Sequence, residues 1–267
     1  MAKLTLIHLS DLHIGRKEIE SKHVKKVFNK IAESYPGIPV LITGDLTDSA
    51  TKGQLKKTRG FLDELAKTNP ILSVPGNHDY AWKGNLLRPD GWENWVRYLG
   101  SPLGWKNNDV HWLGIDHEPK GVNGLGIWEH ESCVFIGIDS GDPDDKVVSA
   151  RGYISEGLAD ALKKILKKYS NKTRIALIHH HPFTEGFFTK LNGSHYLMAA
   201  LKDNCELFLF GHEHAYGIWW GKNGIPLIVS SHKTTNVMSG DCLMITVIDI
   251  TDPGKEGVSF SHRMEVL

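Results

Sequence analysis

The segment "LSVPGNHD" (residues 72–79) changes abruptly from apolar to polar side chains. It completes a short apolar run of strand length, which a proline and a glycine then end, since these residues favour turns. Asn77, His78 and Asp79 follow at once, so an amide, an imidazole and a carboxylate are crowded onto one turn. The sequence therefore predicts a strand whose carboxyl end carries side chains suited to chemistry.

Four further apolar runs end in the same way. "IHLSDLH", "LITGDLTD", "ALIHHHP" and "LFLFGHEH" each pass from apolar residues to Asp or His. Turns favour Gly, Asn, Asp and Pro but have no special need for His, so turn chemistry alone does not account for five such endings. In an open α/β sheet, ligands bind at the carboxyl ends of the strands, which makes these residues candidates for one site. They are Asp11 and His13, Asp45 and Asp48, His179 to His181, and His212 and His214.

The remaining pattern indicates an α/β fold. In the first third, the strand-like runs "KLTLIHL", "IPVLIT" and "PILSV" are separated by segments with helical periodicity, around residues 24–31 and 51–67. This β-α-β-α-β order predicts parallel strands joined by right-handed crossovers. Further helices are predicted at residues 155–169 and 194–203. The tail stretches "IPLIVSS", "CLMITVIDI" and "GVSFSHRMEV" have no helices between them, which predicts antiparallel pairing.

Residues from about 80 to 131 lack a clear pattern of strands or helices. This insertion contains six of the eight tryptophans, among many Gly, Asn and Pro residues. A region of this length without regular elements is more often a functional lid than a plain connection. The alternative is aromatic packing that holds a poorly patterned loop together. We see no repeat or linker elsewhere and expect one domain over residues 1–267, with the Trp-rich insertion as its lid.

The composition is that of a folded protein. Apolar residues make up 40% and charged residues 23% of the 267 residues, which argues against disorder. The 31 basic residues balance the 31 acidic ones, so the charge excess that attracts nucleic acid or an anionic membrane is absent. No apolar run has the roughly 20 residues that a membrane helix needs, and the N-terminal sequence does not resemble a signal peptide. Three single cysteines in apolar runs predict buried thiols in a reducing cytoplasm.

The donor atoms at the five strand ends suit metal ions. Carboxylate, imidazole and amide oxygen without thiolate favour manganese, iron or zinc. These donors are too many for one tetrahedral zinc, whereas two metals about 3.5–4 Å apart would use them, with one carboxylate as a bridge. Metal pairs of this kind serve the hydrolysis of phosphate esters or peptides. We therefore expect two metal ions as cofactors, either divalent or of mixed valence.

The ordered motifs Asp-x-His, Gly-Asp-x-x-Asp, Gly-Asn-His-Asp, His-His-Pro and Gly-His-x-His, from Asp11 to His214, resemble those of the calcineurin-like metallophosphoesterase superfamily. The segment "FIGIDS" and the helix after it are similar to the cyclic-nucleotide phosphodiesterase branch. The resemblance implies a four-layer α/β/β/α sandwich with a dinuclear metal site at the carboxyl ends of the strands. It also implies hydrolysis by a hydroxide that bridges the metals and attacks phosphorus in line with the leaving oxygen.

The resemblance assigns metal ligands residue by residue. Asp45 would bridge the two metals. Among the three consecutive histidines, His180 is preferred because the family's ligand stands two residues before the proline. The first metal would be held by Asp11, His13, Asp45 and His214, and the second by Asp45, Asn77, His180 and His212.

Other polar residues of these motifs would face the substrate or support the ligands. His78, as an imidazolium, would stabilise charge on the phosphate or protonate the leaving oxygen. Asp48 would hydrogen-bond His78 and fix its tautomer, while Asp79 would brace the turn. Arg16, just past the first motif, is a candidate to clamp a phosphate oxygen, and a solvated arginine at a helix start is the alternative.

The leading hypothesis is a metal-dependent phosphoesterase that acts on a small-molecule phosphate ester, and more specifically on a phosphodiester. The diester preference follows from the branch resemblance and from tryptophan rings that can stack on a nucleobase or cover a glycerol head group. A phosphomonoesterase or a protein phosphatase is the first alternative. Zero net charge disfavours a nuclease, and the presence of every motif disfavours a binding scaffold without catalysis. The sequence gives no indication of the oligomeric state.

Overall fold

Two facing β-sheets form the centre of the fold, and helices cover their outer surfaces. The computed structural model describes residues 2–80, 91–99, 111–114, 124–141, 150–235 and 243–267. Within these ranges, no helix is both long and apolar enough to cross a lipid bilayer. The helices are α1 (Glu18–Ser34), α2 (Lys52–Leu65), α3 (Asn77–Tyr80), α4 (Gly91–Leu99), α5 (Glu156–Lys168) and α6 (Ser194–Leu201). The strands are β1 (Lys3–Leu9), β2 (Val40–Thr43), β3 (Ile71–Val74), β4 (His111–Gly114), β5 (Gly124–His130), β6 (Cys133–Ile138), β7 (Gly152–Tyr153), β8 (Thr173–Leu177), β9 (Leu191–Asn192), β10 (Leu207–Phe210), β11 (Gly217–Trp220), β12 (Leu227–Ser230), β13 (Met244–Thr251) and β14 (Ser259–Val266).

The first sheet contains the N-terminal strands. In the described chain its order is β14-β13-β1-β2-β3, with β1, β2 and β3 parallel and β13 antiparallel to both of its neighbours. The helices α1 and α2 connect the parallel strands, so the predicted β-α-β-α-β unit is confirmed. Helix α2 begins after Thr51, whose hydroxyl accepts a hydrogen bond from the backbone N–H of Gln54 and so caps the first turn.

The second sheet has the described order β11-β12-β10-β8-β6-β5-β4. Its central strands β6, β8, β10 and β12 are parallel, and antiparallel strands lie at both edges. The expectation of antiparallel pairing holds for β13 and β14, but it is wrong for β12, which is parallel to β10. The reason is β11, a four-residue strand that sequence analysis missed and that forms an antiparallel hairpin with β12.

Three apolar clusters separate the layers of the fold. Between the sheets, Leu41 and Leu72 of the first sheet share a cluster with Phe135, Leu177 and Leu209 of the second. Helices α1, α2 and α4 bury their apolar faces against the outer side of the first sheet. Helices α5 and α6 do the same on the second sheet. The architecture is therefore the four-layer α/β/β/α sandwich that the resemblance implied.

The Trp-rich insertion contains regular elements where they were not expected. Helix α4 and strands β4 and β5 lie within it, so the absence of a sequence pattern there was misleading. Trp95 is fully buried beside the first sheet, and Trp128 stacks on Phe135 between the sheets, with ring centroids 4.8 Å apart. These two rings are core residues, as the alternative interpretation held. The predicted lid otherwise falls on residues 81–90, 100–110 and 115–123, which lie outside the described residues.

Candidate metal centre

The strand ends singled out in the sequence meet at one edge of the two sheets, and backbone strain is concentrated there. Ten described residues other than glycine have positive φ, and five of them are predicted metal ligands. Positive φ is uncommon in L-residues, costs about 1–3 kcal/mol and is typical of functional sites. Aspartate and histidine adopt it more readily than most residues. The five predicted ligands with positive φ are Asp11, His13, Asp45, His212 and His214.

The first cluster consists of Asp11, His13, Asp45 and His214. The Nε2 atoms of His13 and His214 lie 3.1 Å apart. Asp11 Oδ1 is 3.3 Å from Nε2 of His214 and 3.9 Å from Nε2 of His13. Asp45 Oδ2 is 3.8 Å from Nε2 of His13. The structure thus brings together the four residues that were expected to hold the first metal.

The second cluster consists of Asp45, Asn77, His179 and His212. Nε2 of His179 lies 3.4 Å from Asp45 Oδ1 and 3.1 Å from the amide oxygen of Asn77. Nδ1 of His212 is 3.2 Å from the same Nε2 atom. Asp45 therefore presents Oδ2 to the first cluster and Oδ1 to the second, which is the arrangement of a bridging carboxylate.

The expectation assigned His180 to the second cluster, whereas the histidine that meets Asp45 and Asn77 in this geometry is His179. Residues of strand β8 alternate between two faces, and Ile175 and Leu177 face the first sheet, whereas Ala176 and Ile178 face helices α5 and α6. His179 continues the face that looks toward the first sheet. Nδ1 of His180 is 2.7 Å from the Ser140 hydroxyl, and the His180 ring lies beside that of His212, with centroids 4.8 Å apart. The preference for His180, which was based on its distance from Pro182 in the sequence, did not take this alternation into account.

Asp79 supports the turn that carries the bridging carboxylate, as the sequence suggested. Its side chain accepts hydrogen bonds from the backbone N–H groups of Leu46, Thr47 and Gly76, at 2.8 to 3.1 Å. The Thr47 hydroxyl donates a further bond at 3.0 Å. Asp79 is fully buried, so these bonds tie the end of β2 to the end of β3 without involving solvent. They fix the backbone on which Asp45 is mounted.

His78 and Asp48 interact differently from the prediction. Nδ1 of His78 donates to the backbone carbonyl of Asp48, at 2.5 Å, and not to its carboxylate. The carboxylate Oδ1 instead lies 4.0 Å from Nδ1 of His13 and 3.9 Å from Nε of Arg16. Because a carbonyl only accepts, it fixes the His78 tautomer as expected, but it supplies no negative charge. The role of the Asp48 side chain is therefore not the one expected.

Sequence analysis missed a buried pair beside the site, Tyr80 and Asp139. The Tyr80 hydroxyl donates to Asp139 Oδ2 at 2.6 Å, and the backbone N–H of Gly141 donates to Oδ1 at 2.9 Å. Burial raises the pKa of Asp139 to about 7 and that of Tyr80 well above its usual value. The available signal was "FIGIDS", a sixth apolar run that ends in an aspartate.

The two clusters fit metal ions because their lone pairs converge. Nδ1 of His179 donates to the carbonyl of Thr43 at 2.7 Å, so neutral His179 offers only a lone pair at Nε2. Without a metal, a proton on Nε2 satisfies the contact with the amide oxygen of Asn77, and a bound metal ion would replace that proton. Asp11 Oδ1 is also buried, with no hydrogen-bond partner among the described residues. Burial lowers the pKa of His179, but the carboxylates of Asp45 and Asp11 raise it to about 9, so positive charge is favoured here.

Comparison with known proteins shows the family in which this geometry occurs. The family model of calcineurin-like phosphoesterases matches residues 4–216. The chain belongs to this family. It is accordingly a metal-dependent phosphoester hydrolase, and its clusters are compatible with a dinuclear metal site.

Individual relatives of this phosphoesterase are distant. A probable cyclic nucleotide phosphodiesterase of Coxiella burnetii is 24% identical over 79% of the chain and 76% of the relative. Another, of Colwellia psychrerythraea, is 26% identical over 80% of the chain and 70% of the relative. The crystal structure of a dimetal phosphatase from Danio rerio has a TM-score of 0.63 and 11% identity, over 96% of the chain and 98% of that structure. The structural similarity concerns the fold alone.

Proposed function

We propose that this phosphoesterase hydrolyses small-molecule phosphodiesters at the two clusters that share Asp45. The main support for the proposal is that the two carboxylate oxygens of Asp45 face different clusters. A shared carboxylate would hold two metals close together, an arrangement that suits in-line displacement at phosphorus. Asp11, His13, Asp45 and His214 would hold one metal, and Asp45, Asn77, His179 and His212 would hold the other.

The side chains around the clusters would divide the work of the reaction. When bound, the metals supply Lewis acidity and lower the pKa of water. His78 donates at Nδ1 to the carbonyl of Asp48. As an imidazolium it would also carry a proton at Nε2, which it would donate to a phosphate oxygen or to the leaving oxygen. Its backbone N–H donates to Asp45 Oδ1 at 2.9 Å, so His78 is held beside the bridging carboxylate. His78 would therefore act on the substrate and not as a ligand.

The preference for a diester has two supports. Both curated relatives described above are named probable cyclic nucleotide phosphodiesterases. In addition, Phe187 and Phe188 are exposed on a loop whose next residue, Thr189, accepts a hydrogen bond from Nε2 of His212 at 3.2 Å. An apolar rim next to the second cluster suits an organic substituent on phosphate better than it suits free phosphate.

We propose manganese, iron or zinc as the native metals. The ligands offer carboxylate, amide oxygen and imidazole donors, which suit these borderline ions better than purely oxygen-seeking ones. We further propose a cytoplasmic location, since Cys133 and Cys205 are buried free thiols and a reducing compartment keeps thiols in this form.

The proposal is tested by comparing two chromogenic esters. Protein stripped of metal and reloaded with manganese should hydrolyse bis(p-nitrophenyl) phosphate with a higher kcat/KM than p-nitrophenyl phosphate, and the stripped protein should hydrolyse neither. A reversed preference would indicate a monoesterase or protein phosphatase. If reloaded protein with two bound manganese ions leaves both esters and a panel of cyclic nucleotides intact, the proposed diester hydrolysis is wrong.

A further inference from the structure

We propose that Arg16, whose guanidinium lies beside the Asp48 carboxylate, binds the phosphoryl group of the substrate. This inference rests on the proposed function and adds a specificity residue that does not contact the metal clusters. It starts from the position of Asp48, whose carboxylate is not used by His78. The same carboxylate lies between Arg16 Nε, at 3.9 Å, and His13 Nδ1, at 4.0 Å.

A tight turn places Arg16 beside the first cluster. The backbone N–H of Arg16 donates to the carbonyl of His13 at 3.1 Å, which closes a four-residue turn. Gly15, the third residue of this turn, has a φ of +97°, a value that only glycine adopts without strain. A Cβ at this position would also clash with the side chain of Gln54. The glycine in "DLHIGR" is therefore required for the chain to turn back toward Asp48.

The loop that carries Asp48 is fixed against this turn. The backbone N–H of Ile14 donates to the carbonyl of Leu46 at 2.9 Å, and the N–H of Asp48 donates to the carbonyl of Ile14 at 3.4 Å. The side chain of Gln54 accepts from the backbone N–H of Ser49 at 2.8 Å. These hydrogen bonds join the turn that carries Arg16 to the loop that carries Asp48.

Asp48 lies close both to Arg16 and to two histidines of the site. Its carboxylate faces a ligand of the first cluster, His13, and its carbonyl accepts from His78. The rings of His13 and His78 are in edge contact, with centroids 4.7 Å apart. Arg16 therefore shares one small neighbourhood with a metal ligand and with the proposed proton donor. A phosphoryl group bound beside His13 and His78 would meet the guanidinium of Arg16.

The guanidinium of Arg16 is better suited to a ligand than to stabilising the fold. The side chain is 49% exposed, and its separation from Asp48 is too long for a hydrogen bond. Exposed ion pairs of this kind contribute little to stability. A guanidinium offers a planar pair of N–H donors that matches two phosphoryl oxygens. These properties favour recognition of a phosphoryl group over a role in packing.

The test measures binding of inorganic phosphate as a competitive inhibitor of manganese-loaded enzyme. In Arg16→Ala, the inhibition constant for phosphate and the KM for bis(p-nitrophenyl) phosphate should each rise at least about tenfold, with a smaller change in kcat. Arg16→Lys should recover only part of the affinity, since it restores the charge but not the paired donors. Lys17→Ala is the matched control, because Lys17 is the neighbouring exposed cation and makes no side-chain capping bond to α1.

Two outcomes would overturn the inference. One is an Arg16→Ala enzyme whose phosphate inhibition constant stays within twofold of the wild-type value. The other is an equal loss of affinity in Lys17→Ala, which would reduce the effect to general surface charge. If the wild-type protein hydrolyses no ester, the proposed function fails by itself. Calorimetric binding of phosphate to the metal-loaded proteins then decides the role of Arg16 separately.

Discussion

At the scale of single residues, backbone carbonyls select the tautomers of the histidines in the site. Nδ1 of His179 donates to Thr43, Nδ1 of His78 donates to Asp48, and Nε2 of His212 donates to Thr189. Because a carbonyl only accepts, each contact commits one ring nitrogen as a donor and leaves the other for metal or substrate. In this way, neutral ligands are oriented without further charged groups.

The assignment of His179 as a ligand predicts a contrast between two adjacent histidines. His179→Ala should bind about one equivalent of manganese less than the wild-type protein, because Nε2 of His179 faces both Asp45 and Asn77. His180→Ala should keep both equivalents of manganese, since Nδ1 of His180 contacts the Ser140 hydroxyl. Calorimetric titration of metal-free proteins measures both. Metal loss in His180→Ala with full binding in His179→Ala would restore the assignment made from sequence.

The role of His78 predicts a loss of turnover without a loss of metal. His78→Ala removes the imidazole but keeps the backbone N–H that donates to Asp45. We expect kcat for the diester to fall by about 10²–10⁴-fold, the usual contribution of general acid–base catalysis, with metal content unchanged. Asp45→Ala, by comparison, should lose both metal and activity. Equal metal loss in the two variants would contradict this division of roles.

Residue order alone was enough to select most of the side chains that the structure brings together at this edge. Asp11, His13, Asp45 and His214 were predicted because each follows an apolar run and belongs to an ordered motif. Sequence analysis preferred His180 because of its distance from the proline. The three consecutive histidines offer no compositional distinction, and only the alternation of the strand separates them. The Asp48 carbonyl was also beyond prediction, since backbone contacts depend on the path of the loop and not on side-chain chemistry.

At the scale of secondary-structure elements, close approach between strand ends determines the geometry of the site. Gly76 follows β3 and Gly211 follows β10, and a Cβ on either would collide with Asp45 or with Ser10, respectively. The ligands of one strand end therefore pack directly against the backbone of its neighbour. This close packing requires glycine at both places, which is why "PGNHD" and "FGHEH" carry it.

A pair of glycine substitutions tests this close approach. Gly76→Ala should displace Asp45, lower metal content and reduce the free energy of unfolding by about 1–3 kcal/mol, the usual cost of overpacking. Gly60→Ala is the control, since Gly60 lies within α2 with no atom near its missing Cβ. It should raise the free energy of unfolding by about 0.5–1 kcal/mol through helix propensity. Urea denaturation measures both, and full metal binding by Gly76→Ala would contradict the account.

Helices were more predictable than strands. Helix α5 was expected at residues 155–169 and lies at Glu156–Lys168, because its apolar residues repeat with helical spacing and Ser155 caps it. Strand β11 was missed because its four residues, "GIWW", are too few for a periodic signal. That single hairpin made the pairing of β12 unpredictable, since pairing depends on the whole topology and not on local sequence.

At the scale of the whole molecule, polar contacts join the two sheets at the edge where the ligands lie. Tyr80 follows β3 of the first sheet, and its hydroxyl donates to Asp139 at the end of β6 in the second. The Thr43 carbonyl of the first sheet accepts from His179 of the second. The site is therefore an interface between two layers, and its geometry depends on their relative position.

The buried Tyr80–Asp139 pair predicts a dependence of stability on pH. Burial raises the pKa of Asp139 from 3.8 to about 7, so the folded protein retains a proton that the unfolded chain has released. Stability should therefore fall as pH rises from about 4 to 7, by at most about 1.4 kcal/mol per pH unit from this group, and the penalty persists above pH 7. Asp139→Asn should remove this slope. Urea denaturation between pH 5 and 8 measures it, and identical slopes in both proteins would be inconsistent with a raised pKa.

The most direct test of the account is the number of metal ions that one chain holds. The protein is first stripped of metal, then dialysed against manganese and separated from excess manganese. The wild-type protein should then contain two equivalents of manganese by inductively coupled plasma mass spectrometry, and Asp45→Asn should contain at most one. This result follows from a carboxylate whose oxygens face two different clusters. One equivalent or none in the wild-type protein, or two in Asp45→Asn, would contradict a dinuclear centre bridged by Asp45.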